Sequence, residues 1–241
     1  QIIKEIDSAI KIMNSERINE NDMGLIVSRF ERIKQIQKVM DMQIDVLETM
    51  TPLDFLDFRE QLRPASGFQS FQFKMLEAMM GLKFADRHGK DFYQRHLRKE
   101  HIEDIAEIEA QPSLIELVND WLERIPFFDE VYWGKYENIE SHPFWRQYQQ
   151  AFANTLNEQD NSIFSGFNQT FFSEGKSGSN RLSTKANRAA IFILAYRDYP
   201  ILQVPFQLLD TLIAIDELMA TWRTRHISMV TRMIGLRTGT G

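Results

Sequence analysis

Residues 204–235 read "VPFQLLDTLIAIDELMATWRTRHISMVTRMIG", and the spacing of their apolar side chains decides the fold class. Leu208, Leu212, Ile215, Met219, Trp222, His226, Met229 and Met233 follow one another in alternating steps of four and three. Those steps put the whole series on one face of an α-helix. At 1.5 Å per residue the helix is about 45 Å long. One member is out of character. An imidazole in an apolar seam costs desolvation unless its nitrogens find partners.

The same periodicity runs through most of the chain, while strand-like alternation is nearly absent. One helix is expected from the start to Met13. A second begins near Asn21, with Leu25, Phe30, Ile33, Ile36 and Val39 on a broad apolar face. Thr51, Pro52 and Asp54 have the spacing of a capping box with proline at the first helical position, and Pro64 ends that short helix. "FQSFQFKMLEAMMG" is the next helix, stopped by Gly81. "DFYQRHLRKEHIEDIAEIEAQ", "SLIELVNDWLERI" and "STKANRAAIFILAYRD" are further helices, and "FFDEVYWGKY" is a turn packed by aromatics. "SEGKSGSNR" and the terminal "TGTG" combine glycine with small polar residues and read as mobile loops. With no internal repeat and no composition break, residues 1–241 are expected to form one all-α domain.

Composition narrows the function. The 241 residues carry a net charge of −6, which argues against nucleic acid as a partner, and no cysteine. Without cysteine there is no disulfide, no thiolate zinc site, no iron–sulfur cluster and no covalent c-type haem attachment. The lack also fits a reducing cytoplasm, the expected compartment. No apolar run reaches the roughly 18 residues of a membrane span, and no signal peptide is visible. The chain starts at Gln1 inside an apolar-periodic segment and stops in "GTG". Both ends therefore read as cut from a longer protein.

Two places carry chemistry. His226 is either a core histidine bonded to a carbonyl, the commoner case, or a lone axial ligand. His88, His96, His101 and His142 lie in polar segments without the short spacing of a zinc site. Haem iron needs one protein ligand from an apolar wall, and the tryptophan and methionines of this face suit a porphyrin. Arg223 and Arg225 are either propionate partners or a solvated helix edge. The second place is the short helix after Thr51, where Phe55 and Arg59 are four apart and Phe58 is adjacent. An arginine beside two phenylalanines suits an aromatic carboxylic acid: the rings pack the apolar part and the guanidinium grips the carboxylate. A surface arginine beside core aromatics is the plainer alternative. "ASG" at 65–67 adds small residues that let a ligand approach the backbone.

The segments "TPLDFLDFREQLRPASGFQSFQFKMLE" (51–77) and "PFQLLDTLIAIDELMATWRTRHISMVTRMIGLRTGTG" (205–241) resemble the two signature blocks of the tryptophan 2,3-dioxygenase family. "RLSTKANRAAIFILAYRDYPIL" (181–202) matches in style. The resemblance implies a homotetrameric, all-helical haem b enzyme that adds O2 across the indole C2–C3 bond of L-tryptophan to give N-formylkynurenine. By position, His226 would be the proximal iron ligand and Trp222 would lie against the haem. Arg59 would bind the substrate carboxylate, and Phe55 and Phe58 would wall the indole pocket. Ser66 and Gly67 would lie against the haem on the oxygen side. Thr240 would contact the substrate's ammonium and carboxylate as its loop closes.

The family's distal histidine belongs to an upstream segment, so no catalytic residue is expected within these 241 residues. Thr224 stands where the family often has an aromatic. Two alternatives stay open: a related haem enzyme acting on a substituted tryptophan, and a catalytically silent helical oligomer that binds haem or tryptophan.

Overall fold

The computed structural model describes residues 1–62, 70–83, 97–127, 131, 134–136, 138–157, 160–173 and 182–235. Among them the architecture is all-helical, as the periodicity predicts, with ten α-helices and no strand. In chain order these are α1 (Ile2–Met13), α2 (Glu20–Leu47), α3 (Pro52–Arg59), α4 (Phe71–Met80) and α5 (Lys99–Glu109), then α6 (Leu114–Glu123), α7 (Pro143–Ala153), α8 (Asn161–Phe171), α9 (Thr184–Ala195) and α10 (Pro200–Ile234). The expected boundary signals act where they were read. Thr51 and Asp54 form a reciprocal capping box at α3, and Gly81, at φ 112°, ends α4 in the left-handed conformation open to glycine. The Pro64 stop and the two glycine-rich loops lie outside the described residues, as does most of "FFDEVYWGKY".

The chain forms two compact units. The first comprises Gln1–Leu114 and Gln203–Gly241. Here α1 packs on α2 through Ile6, Ala9 and Met13 against a stripe of Met23, Ile26, Phe30 and Ile33, all buried. Each of these side chains other than Ala9 contributes about 1.5–3 kcal/mol of burial. The expected α2 face is corrected at two positions: Leu25 and Val39 are half-exposed or more. The true stripe steps through 23, 26, 30, 33, 37 and 44, and it recruits Gln37 in place of an apolar residue. Glu5, buried on α1, takes hydrogen bonds from Arg29 and Arg32 of α2, both at 2.9 Å. Helix α4 packs on α5 around Ala78, Leu97 and Ile105.

Helix α10 begins four residues earlier than the apolar pattern suggests and contains Pro205. Proline so near a helix start removes only one backbone hydrogen bond, so the helix runs through it. Along α10 every member of the eight-residue stripe is buried or half-buried.

The second unit, Ile115–Leu202, is built on aromatic packing. Trp145 is fully buried and meets Phe171 at 5.4 Å and Phe144 at 5.1 Å, while Phe167 stacks on Phe152 at 4.3 Å. Asn119 of α6 accepts the Ser183 N–H at 2.7 Å, and Ser183 in turn caps α9. Helices α7 and α8 are absent from the expected set, although Phe144, Trp145, Tyr148 and Phe152 on the first and Ile163, Phe164, Phe167 and Phe171 on the second recur at helical spacing.

His142 caps α7. It is fully buried, and its Nδ1 accepts the Phe144 N–H at 3.2 Å. Only a neutral ring can accept there, and burial pushes its pKa below the ordinary histidine value of about 6.5. A depressed folded-state pKa means the contribution to stability is present above pH ~6.5 and is lost as pH falls through the folded-state value. Asparagine caps equally well and does not titrate. Between pH 7 and 5 the urea midpoint of the parent protein therefore falls more steeply than that of His142→Asn. Parallel pH profiles would remove His142 as the acid-sensitive group.

Candidate functional site

His226 sits one turn after Trp222 on the buried side of α10. The two rings are parallel, 5.1 Å between centroids at 6°. Burial holds the His226 pKa below the ordinary histidine range, so the ring is neutral at pH 7 and keeps a lone pair. Among the described residues neither ring nitrogen is hydrogen-bonded. The core role left open by the sequence needs a carbonyl partner, and the described residues supply none. A half-buried neutral imidazole with uncommitted nitrogens is what a metal ligand offers.

The flanking arginines are engaged. Arg223 Nη2 donates to Glu77 of α4 at 2.7 Å, and its guanidinium lies 5.6 Å from the Phe73 ring centroid. Arg225 is gripped by α2: by Asp41 Oδ1 at 3.2 Å, by Asp45, and by Glu48 Oε2 at 2.8 Å. Asp45 and then Glu48 push the Arg225 pKa up, so its charge is fixed. Both arginines clamp α10 to its neighbours, the first to α4 and the second to α2. Arg225 is largely withdrawn from solvent by this grip, whereas the Arg223 side chain stays 46% exposed while it holds Glu77.

Helix α3 presents the second group. Its capping box is tight: the Thr51 N–H and hydroxyl both donate to Asp54 Oδ2 at 2.8 Å, and the Asp54 N–H returns to Thr51 Oγ1 at 3.3 Å. Those bonds hold the Asp54 carboxyl below its usual range. The cap fixes the phase of a helix with no fully buried residue. Phe55, Phe58 and Arg59 are its half-buried positions, and the rings meet edge to face at 5.4 Å and 81°. Among the described residues Arg59 has no ion pair, so its guanidinium stays available to a carboxylate.

The structure thus brings Trp222 and His226 together, and it brings Phe55, Phe58 and Arg59 together. No ring contact or hydrogen bond among the described residues joins the two groups. Ser66, Gly67 and Thr240 lie outside the described residues, as do His88 and His96. His101 stacks on Phe71 at 4.1 Å and His142 is a cap, so both are structural. No cluster of three or more His, Asp or Glu among the described residues could hold a metal ion. Sequence reasoning missed Phe73, which packs on Trp222, and Glu77, which holds Arg223. The one signal was an acid, Glu77, inside the apolar run "FKMLEAMM".

Since the cap alone sets the start of α3, Thr51→Ala costs about 1 kcal/mol of local helix stability. Hydrogen exchange across residues 52–59 should accelerate several-fold without change in α10. Equal protection in parent and variant would mean that α3 is held by something other than its cap.

A sequence profile described as tryptophan 2,3-dioxygenase matches residues 1–241. The chain is 38% identical over 260 residues to the tryptophan 2,3-dioxygenase of Bdellovibrio bacteriovorus, covering all of this chain and 72% of that protein. It is 41% identical over 261 residues to tryptophan 2,3-dioxygenase B of Danio rerio, with 64% of that protein covered. The Dictyostelium discoideum tryptophan 2,3-dioxygenase is 38% identical over 264 residues, with 65% covered. A profile match along the full chain, together with relatives 38–41% identical across it, settles the family: the chain belongs to the tryptophan 2,3-dioxygenases.

Proposed function

We propose that residues 1–241 act as one dioxygenase domain holding a haem b and L-tryptophan, and that the reaction adds O2 across the indole C2–C3 bond to give N-formylkynurenine, opening the kynurenine pathway. Both oxygen atoms stay in the product, and the four electrons that reduce O2 come from the C2–C3 double bond of the indole, so no external reductant is consumed. A profile that spans both compact units supports their acting as one domain. The observation that carries the haem assignment is His226: neutral, half-buried, on an apolar helix face, with its nitrogens uncommitted among the described residues.

Those features fit a single axial ligand to haem iron. Bound there, the haem would supply the iron that activates O2 beside the substrate. The chain's own residues do the rest. Trp222 gives the iron ligand a flat, apolar neighbour. Arg59 holds the tryptophan carboxylate, and Phe55 and Phe58 pack the indole and keep water from it. Ser66 and Gly67 leave space for the haem on the oxygen side, and Thr240 binds the substrate's ammonium and carboxylate. The enzyme works as a cytoplasmic homotetramer. Exposed Met42 and Val46 on α2, with Leu53 on α3, are apolar surface that a partner copy would cover. Among the described residues no helix is long and apolar enough to cross a membrane.

Reduced holoenzyme given L-tryptophan under air should yield N-formylkynurenine, and His226→Ala should lose the haem Soret band while staying helical. A different oxygenated product, or none, would overturn the reaction. A normal ferrous spectrum in His226→Ala would overturn the ligand.

Arg59 tests the substrate class. A guanidinium–carboxylate pair beside two phenylalanines contributes about 2–5 kcal/mol, part of it the penalty for an unpaired carboxylate. At about 1.4 kcal/mol per tenfold, Arg59→Ala lowers kcat/KM for tryptophan by about 30-fold to several thousandfold. Arg59→Lys recovers only part of it. Indole, which has no carboxylate, loses little further. Equal losses for indole and tryptophan would refute the carboxylate clamp.

A further inference from the structure

Beside His226, flat groups form a column that leads to a buried acid. His226 lies on Trp222, as described, and Trp222 meets Phe73 of α4 at 5.5 Å and 32°. Phe73 is covered by two cations, Arg223 at 5.6 Å and Lys74 at 5.8 Å from its centroid. Both cations end on Glu77, Arg223 at 2.7 Å and Lys74 at 3.0 Å. Glu77 is only 5% exposed, against 46% for the Arg223 side chain and 23% for Lys74. Burying a carboxylate is costly unless its partners compensate. Here the compensation draws both cations over one aromatic ring, which is itself packed on Trp222.

A metal-bound histidine is ordinarily held by a hydrogen bond from its second nitrogen to a carboxylate, carbonyl or water, which fixes the plane of the ring. Among the described residues His226 has no such bond to a carboxylate or carbonyl. What it has is a parallel indole, and that indole is seated by Phe73. We propose that Glu77 is a positioning residue for the axial histidine: through Arg223, Lys74 and Phe73 it seats Trp222 and so sets the plane of the His226 imidazole by ring stacking. This rests on the assignment of His226 as the iron ligand. Glu77 acts only through the intervening groups and takes no part in the chemistry.

The test uses the ferrous holoenzyme, with two readouts: the iron–histidine stretching band in resonance Raman, and the rate of haem loss to apomyoglobin. Glu77→Gln removes the charge and keeps the shape, and Phe73→Leu removes the ring and keeps the acid. Both should shift and broaden the iron–histidine band and speed haem loss about 10-fold, the scale of losing outer support for a metal ligand. Glu77→Asp should restore part of each. If Glu77→Gln does not fold, Phe73→Leu decides alone. Variants that melt earlier but keep the parent's band and haem-loss rate would overturn the proposal and leave the column as packing. A parent holoenzyme without an iron–histidine band, or a His226→Ala variant that keeps one, would instead overturn the ligand assignment, and the proposal with it.

Discussion

The fork of Arg225 into Asp41, Asp45 and Glu48 is the interaction on which the rest of α10 depends. Apolar burial is non-directional, and a stripe of leucine, methionine and isoleucine slides by three or four residues with little change in buried area. A guanidinium held by three carboxylates does not slide. Three more polar contacts agree with it in register. Thr211 donates to Glu31 at 2.9 Å, Gln37 donates to the Ile215 carbonyl at 3.2 Å, and Arg232 donates to the Glu48 carbonyl at 3.0 Å. Residue numbers rise together on both helices, so α2 and α10 run parallel. Turning α10 by one residue, about 100°, would carry His226 off the apolar face.

The fold accepts a cost for this register. Gln37 occupies a buried step of the α2 stripe, and its Oε1 has no hydrogen-bond partner among the described residues. Leucine there would bury more apolar area but could not read the position of Ile215. Arg223 grips α4 on another side, and residues 223 and 225 lie about 200° apart around the helix. The face with Trp222 and His226 falls in the narrower arc between them. His226 is therefore carried by a segment clamped on both flanks.

Much of the fold was legible because helix boundaries here obey local chemistry. The Thr51–Asp54 box and the Gly81 stop are short-range signals, and each acts where the sequence puts it. The α10 stripe was legible for the same reason. Long-range choices were not. Nothing local distinguishes Leu25 or Val39 from the residues that the α1 packing buries, so two wrong positions entered the α2 face. The two arginines show the limit most clearly. Next to a candidate haem ligand, the sequence offers propionates or solvent as their partners, whereas the acids that take them lie 146 and about 180 residues away in the chain. Glu77 was hidden for the same reason, because an acid in an apolar run declares its purpose only when its partner is known.

The two halves of the site differ in how they are held, and this bears on how the substrate enters. The His226 half sits on a long helix locked by ion pairs and stacking, so its geometry is set before any ligand arrives. The Arg59 half sits on eight residues with a good cap and no fully buried side chain. Short, shallowly packed elements occupy the low end of local stability, where binding segments are commonly found. Phe55 and Phe58 are half-exposed, and Arg59 has no ion pair among the described residues. An indole would finish the burial of the first two, and a carboxylate would neutralise the third. On the proposed assignment tryptophan would act as a missing piece of the α3 core, and part of its binding energy would go into ordering that helix. An indole without the carboxylate completes only the apolar half. Discrimination between tryptophan and indole would then come from the ordering of α3 as well as from the proposed ion pair itself.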